Sequence, residues 1–269
     1  MHPTLLKIGS FELASYGLMI ALGYAAACLY LQPRLKKINL DKDTFWNLIF
    51  IAFAGALVGS KLLFVLLNWD QLGPTTAQKL ATIVRDFRYG FVFFGGMIVS
   101  VCGVVIYIKK KKLPFLKVAD FMLVGLPLGH ALGRIGCFFA GCCYGRPTSM
   151  PWGVRFTDPH SLVPPDLLGV PLHPTQLYES AANLLLFFVL ARLYNKPHKD
   201  GVILLLYVAC YSLLRFTIEF FRGDYRGGFV LGLSPSQCIA ILISLFTFGA
   251  WFFFTRKGTS HGNKKNGSI

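Results

Sequence analysis

The sequence predicts an all-α fold: a polytopic integral membrane protein with seven transmembrane helices. Three observations lead there. Of the 269 residues, 54% are hydrophobic and only 14% are charged, a balance outside that of ordinary soluble domains. Apolar runs close to the ~20 residues needed to cross a bilayer recur along the whole chain. The cations collect in short stretches between those runs, the bias that sets membrane orientation.

The spans are expected at about 11–32, 44–67, 91–108, 118–140, 175–194, 201–221 and 234–254. Residues 1–10 hold one cation, Lys7, and no small-residue cleavage site, so the first span reads as retained and not as a cleaved signal peptide. One set of loops carries Arg34, Lys36, Lys37 and Lys42, then Lys109, Lys110, Lys111, Lys112 and Lys117, then Arg192, Lys196 and Lys199, and finally Arg256, Lys257, Lys264 and Lys265. The alternate set holds only Lys7; Lys79, Arg85 and Arg88; Arg146 and Arg155; Arg222 and Arg226. The richer set is expected on the cytoplasmic side, which puts the N-terminus outside and the C-terminus in the cytoplasm. Residues 1–254 then form a single seven-span domain, with an outer loop over 141–174, and 255–269 form a basic, disordered cytoplasmic tail. The net charge of +15 follows from this topology and points to no nucleic-acid partner. The segment 78–87 has an apolar and a basic face. It reads equally as a surface-lying segment or as a plain loop.

Three cations remain inside spans: Lys61, Arg134 and Arg215. A guanidinium keeps its charge at any useful pH, and hydrocarbon is a costly place for it. At ~1.5 Å per residue all three sit roughly 20–26 Å from the cytoplasmic ends of their spans, at one depth in the outer half of the bilayer. They either snorkel to the headgroups or share an anion site. Other polar residues gather at that level: Glu12 and Tyr16 in the first span, and His173, Gln176, Tyr178 and Glu179 at the start of the fifth. Arg215, Glu219 and Arg222 share one helix face by spacing, as do His130, Arg134 and Cys137. Glu219 is placed to pair with an arginine and offset the cost of burying it. Loop 141–174 is rich in proline (Pro147, Pro151, Pro159, Pro164, Pro165, Pro171, Pro174), and its length suggests a functional or mobile cover over a lipid-accessible pocket.

Seven cysteines form no even disulfide framework. Cys28, Cys102, Cys210 and Cys238 read as small apolar residues within spans. Cys137, Cys142 and Cys143 cluster at the end of the fourth span and leave three readings open: packing residues, a disulfide between Cys137 and one of the pair, or redox, acyl-transfer or metal chemistry. Nothing in the spacing demands a metal or an organic cofactor.

At this point the motifs resemble a known family. Gly133-Arg134-Ile135-Gly136-x-Phe138-x-x-Gly141, with Asp120 upstream, is similar to the signature of the bacterial prolipoprotein diacylglyceryl transferases. So are Tyr16-Gly17-Leu18-Met19, Phe94-Gly95-Gly96, His173-Pro174-Thr175-Gln176-Leu177-Tyr178-Glu179 and Arg215-Phe216-x-x-Glu219-Phe220-Phe221-Arg222, in the family's order and over nearly the whole chain. The resemblance implies a multi-pass enzyme of the bacterial cytoplasmic (inner) membrane. It would move the diacylglyceryl group of phosphatidylglycerol to the lipobox cysteine of a prolipoprotein signal peptide and release glycerol phosphate. By motif position Arg134 and Arg215 hold the lipid phosphate, Glu219 supports Arg215, and Tyr16 and Gly145 line the site. His173 and Glu179 fall in a family motif without an assigned role. The chain also departs from the pattern. Cys137 and Ala140 stand where the family has asparagine, Cys142 where it has glutamate, Phe94 where it has a histidine, and Lys61 where arginine is usual. That leaves His173 and His130 as the imidazoles available to assist the thiol. It also keeps in view a paralogue acting on another nucleophile, or a non-catalytic lipid-binding or transport protein.

Overall fold

The computed structural model describes residues 3–8, 11–85, 87, 90–224 and 232–259, with side chains up to residue 252 at the C-terminal end. Arg88, Arg226 and most of the expected tail at 255–269 lie outside the described residues. Among the described residues the chain is predominantly helical, and seven helices are long and apolar enough to cross a membrane. It divides into two compact units, Met1–Leu31 with Ala119–Ile269, and Gln32–Val118.

The first unit opens with a hairpin of β1 (Thr4–Ile8) and β2 (Phe11–Ala14), paired antiparallel. The expected first span therefore starts late: residues 11–14 are strand, and α1 runs Ser15–Leu31. The all-α expectation also omitted a second small sheet, β3 (Val154–Arg155) with β4 (Pro171–Leu172). These strands are too short and too local to leave a periodic signal. Helix α1 packs on α5 (Phe115–Ala140) through glycines. A Cβ on Gly23 would lie 2.9 Å from the Gly129 carbonyl oxygen, and one on Gly136 would lie 3.0 Å from the Met19 side chain. Small residues are what let helices approach this closely in a membrane.

Three further helices complete this unit: α6 (Thr175–Tyr194), α7 (Val202–Glu219) and α8 (Pro235–Thr259). Asp120, 1% exposed, accepts hydrogen bonds from the backbone N–H groups of Gly201 (2.7 Å) and Leu204 (2.8 Å). It thereby satisfies donors at the start of α7 that the helix itself cannot. Ser180 on α6 donates to the Ala131 carbonyl of α5 at 2.8 Å. The proline-rich stretch 141–174 is an ordered element with its own small core of Tyr144, Phe156, Val163 and Leu172. Its prolines set short extended and 3-10 pieces, and apolar side chains between them supply the burial.

In the second unit α2 (Lys42–Leu67) pairs with α4 (Phe93–Lys110). Asp41 caps α2 by accepting from Thr44 N at 2.7 Å. The two helices meet at Gly59 and Gly95, and Ser100 donates to the Ala52 carbonyl at 2.7 Å. The segment 78–87, open between two readings in sequence, belongs largely to a short helix, α3 (Thr76–Arg85). Lys61 has a local explanation. Its ammonium lies 5.5 Å from the ring centroids of each of Phe64, Phe87 and Phe91, a cation–π enclosure that lowers the cost of a charge inside a span.

Candidate active site

The first unit concentrates charge in two ion pairs, one between helices and one within a helix. Arg134 of α5 pairs with Glu179 of α6, Nη2 to Oε1, at 2.8 Å. Glu179 is 1% exposed. It belongs to a polar stripe on α6, namely Thr175, Gln176, Glu179, Ser180 and Asn183, all buried, at the spacing of one helix face. That stripe on an otherwise apolar helix is the sequence signal that marks Glu179 as an inward-facing partner. One turn of α7 makes the second pair, Arg215 Nη2 to Glu219 Oε2 at 2.6 Å. Arg215 also donates to Ser236 of α8 at 3.2 Å.

Tyr211 is close to both pairs. It is within electrostatic reach of Arg134, Arg215 and Glu179. Its ring stacks on Tyr207, with centroids 5.7 Å apart. His130, one turn before Arg134, lies against Tyr211 and has Nδ1 3.5 Å from the Tyr207 hydroxyl. Neither tyrosine carries a motif, so sequence reasoning passed over both.

Arg222 differs from its expected place. Counted among loop cations, it is 5% exposed, and Asp224 holds it in a two-pronged pair, Nε to Oδ1 at 2.8 Å and Nη2 to Oδ2 at 2.6 Å. Its Nε also lies 3.9 Å from Glu219, as the shared helix face implied. The helix ends before Arg222, so its charge turns inward where a loop reading put it in solvent.

Backbone bonds join three segments at Gly145. Gly145 N donates to the His173 carbonyl (3.0 Å), His173 N to Arg146 (3.0 Å), Arg146 N to Phe221 (2.9 Å) and Gly223 N to Tyr144 (3.1 Å). A Cβ on Gly145 would fall 2.5 Å from the His173 carbonyl oxygen and 2.8 Å from that of Phe221, so glycine is required by close approach. His173 sits against Phe221, and its Nδ1 is 3.1 Å from the Tyr178 hydroxyl. Trp152 donates to that same hydroxyl at 2.8 Å.

The cysteine group lies between these features. The Sγ atoms of Cys137, Cys142 and Cys143 are all within 4.8 Å of one another, and all seven cysteines of the chain carry thiols. Cys143 has a left-handed backbone, φ 61°, which costs a non-glycine residue about 1–3 kcal/mol. Two side chains of α6 hold it there: Gln176 donates to the Cys142 carbonyl (2.8 Å) and Thr175 to that of Cys143 (2.7 Å). Hydrogen bonds from the Cys137 and Cys142 thiols, and then the charges of Arg222 and Arg134, hold the Cys143 thiol below the usual thiol range. Hydrogen bonding to its two neighbours, with burial, pushes the Cys142 thiol up. Tyr16, 43% exposed, is within electrostatic reach of all three cysteines and of Arg134.

The structure thus gathers Arg134, Glu179, His130, Cys137, Cys142 and Tyr16 around one region, with Arg215, paired to Glu219, within electrostatic reach of the Tyr211 beside it. Gly145 and His173 form the adjoining backbone junction. Phe94 belongs to α4, in the other unit.

Comparison with known proteins gives a consistent result. Residues 3–254 match the family model described as prolipoprotein diacylglyceryl transferase. The chain is 38% identical, over 92% of its length and 97% of the relative's, to a protein of Clostridium tetani named phosphatidylglycerol–prolipoprotein diacylglyceryl transferase. It is 36% identical, over 90% and 91% of the two chains, to one of Clostridium perfringens bearing that name with the number 2. It is 34% identical, over 89% and 84%, to one of Pseudoalteromonas atlantica.

Proposed function

The chain belongs to the prolipoprotein diacylglyceryl transferase family, and from that premise we propose that it transfers the diacylglyceryl group of phosphatidylglycerol to the lipobox cysteine thiol of a prolipoprotein signal peptide. The thiol sulfur attacks the glyceryl carbon that bears the phosphate ester. A carbon–sulfur bond forms, the carbon–oxygen bond breaks, and glycerol phosphate leaves with the electron pair.

The observation that carries this reading is the pair of half-buried arginines on different helices, Arg134 and Arg215, each paired with a buried carboxylate and both within electrostatic reach of Tyr211. A guanidinium presents five N–H donors in a planar fork, so a carboxylate on one edge leaves others for phosphate oxygens. The leaving phosphate gains negative charge as the ester bond breaks. Fixed guanidinium groups in a low-dielectric site therefore hold the transition state more strongly than the bound lipid. Glu179 and Glu219 orient the two arginines and limit the cost of burying them. Tyr16 and Gly145 line the approach, and His173 assists proton transfer beside it.

All seven helices form one membrane domain in this reading, in the bacterial cytoplasmic membrane. The N-terminus is outside and the C-terminus inside, and the ordered segment 141–174 covers the site. The cation bias supports that orientation. The amphipathic helix α3 lies on the outer membrane surface. The test is direct: the full-length protein in vesicles containing phosphatidylglycerol is given a lipobox peptide, and the peptide mass is measured. A diacylglyceryl gain on the cysteine peptide, absent for a control serine peptide with serine in place of that cysteine and absent in phosphatidylcholine vesicles, is expected. No mass gain from a folded, vesicle-inserted protein refutes the proposal, as does a gain on the serine peptide.

A further inference from the structure

The thiols of Cys137, Cys142 and Cys143 have no part in the reaction as derived above. Yet they are the one metal-ligating group of three found among the described residues, with sulfurs all within 4.8 Å of one another. They are not a random surface cluster. Cys137 is buried and the other two are half-buried. The left-handed turn at Cys143 is held against its own preference by Thr175 and Gln176. Arg134 and Arg222 lie within electrostatic reach of the group.

We propose that these three cysteines form a zinc site of the catalytic kind, holding the ion by three sulfurs and leaving its fourth position for the lipobox thiol. This inference rests on the proposed transfer reaction for its fourth ligand. A structural zinc site closes with four protein ligands, whereas a catalytic one uses three and keeps one position open. The present group ends at three among the described residues. Zinc–sulfur bonds of ~2.3 Å put tetrahedral sulfurs roughly 3.8 Å apart, so the widest observed spacing closes by about 1 Å through side-chain rotation. Three thiolates around a divalent ion leave one net negative charge, and Arg222 and Arg134 lie within electrostatic reach of it.

The chemistry supplies the thiolate directly, where His173 would only assist the proton transfer. A thiol reacts as its thiolate, and the two site carboxylates, Glu179 and Glu219, are engaged by Arg134 and Arg215. A coordinating thiol is deprotonated outright by the metal. In the proposed step the lipobox S–H proton passes to water as the zinc–sulfur bond forms. That sulfur then forms its bond to the glyceryl carbon while the phosphate ester bond breaks. The neutral thioether, a weaker ligand than the thiolate, leaves the zinc, and no oxidant or reductant is consumed.

The test uses the full-length protein in detergent, reduced and stripped of metal, titrated with zinc and with cobalt(II) as a spectroscopic substitute. One equivalent of zinc is expected, and cobalt should give a sulfur-to-metal charge-transfer band. Each of C137A, C142A and C143A should weaken binding by tenfold or more. The quadruple variant C28A/C102A/C210A/C238A should bind like the parent and excludes the remaining thiols. Adding the lipobox peptide should raise the band by about a third, as three thiolates become four, and the serine peptide should not. Absence of stoichiometric binding by the parent protein overturns the inference, as does binding that ignores all three alanine variants. Preferred capture of copper(I) with no response to peptide overturns it too, because three thiolates complete that ion's shell. Undiminished lipid transfer by metal-free protein defeats the zinc site and leaves the proposed function standing. A peptide-responsive zinc site without lipid transfer does the reverse.

Discussion

The Arg134–Glu179 pair separates a structural ion pair from a lipid-binding one when Glu179 is replaced by glutamine. Breaking a buried pair by removing one partner costs ~3–5 kcal/mol. Here the Glu179 side chain is 2% exposed but that of Arg134 keeps 21%, so water relieves part of the stranded charge. The glutamine amide also retains an oxygen acceptor. The expected loss for E179Q is therefore about 2 kcal/mol. The double variant R134Q/E179Q strands no charge and should fall short of the summed single losses by ~1.5 kcal/mol. Unfolding in detergent, followed by tryptophan fluorescence, measures all four corners of the cycle. The same samples report on function. In E179Q the arginine lacks its anion, so added phosphatidylglycerol should raise the midpoint more than in the parent protein, and phosphatidylcholine should not. Additivity within ~0.5 kcal/mol refutes the pair as an energetic unit. Equal lipid shifts in the two proteins refute Arg134 as a phosphate ligand.

Three other outcomes are expected. Tyr211→Phe removes a hydroxyl within electrostatic reach of Arg134 and Arg215 and should lower transfer roughly tenfold, the worth of a polar group beside a charged one, read as kcat/KM with the lipobox peptide. Gly145→Ala places a Cβ 2.5 Å from the His173 carbonyl oxygen and should cost about 3 kcal/mol by overpacking. Gly169→Ala, at φ 76° with open space around it, should cost only about 1 kcal/mol; thermal unfolding of the two variants compares them. Asp120→Ala removes the acceptor for two N–H groups of α7 and should cost about 2 kcal/mol, with transfer per folded molecule unchanged.

The spans were legible because each is a long apolar run, and Arg215–Glu219 was legible because it lies within one helix turn. The Arg134–Glu179 pair was harder. Its partners sit on two helices, and only the polar stripe on α6 betrays that Glu179 faces inward. Tyr207 and Tyr211 gave no signal, since a tyrosine in an apolar run reads as ordinary packing. Arg222 was misread because helix periodicity says nothing about the turn that follows Glu219, and Asp224 supplies its partner from beyond the helix. Lys61 suited an anion site by depth alone. The rings of Phe87 and Phe91 that surround it come from a connection whose path no periodicity describes. The hairpins were missed because two to five residues carry too little pattern.

The weave of main-chain bonds at Gly145 fixes where this protein can grow or shrink. Between Arg134 and Gly145, between His173 and Glu179, and between Glu219 and Gly223, one added residue would slide a charged side chain out of line with its neighbours. Residues 157–160 form a mostly exposed turn closed by Ser161 N on the Asp158 carbonyl, ahead of the Leu162 N bond that ties the segment to Ala140. Differences in length among relatives should gather there, and an affinity tag or a reporter inserted at that position should leave the chemistry intact.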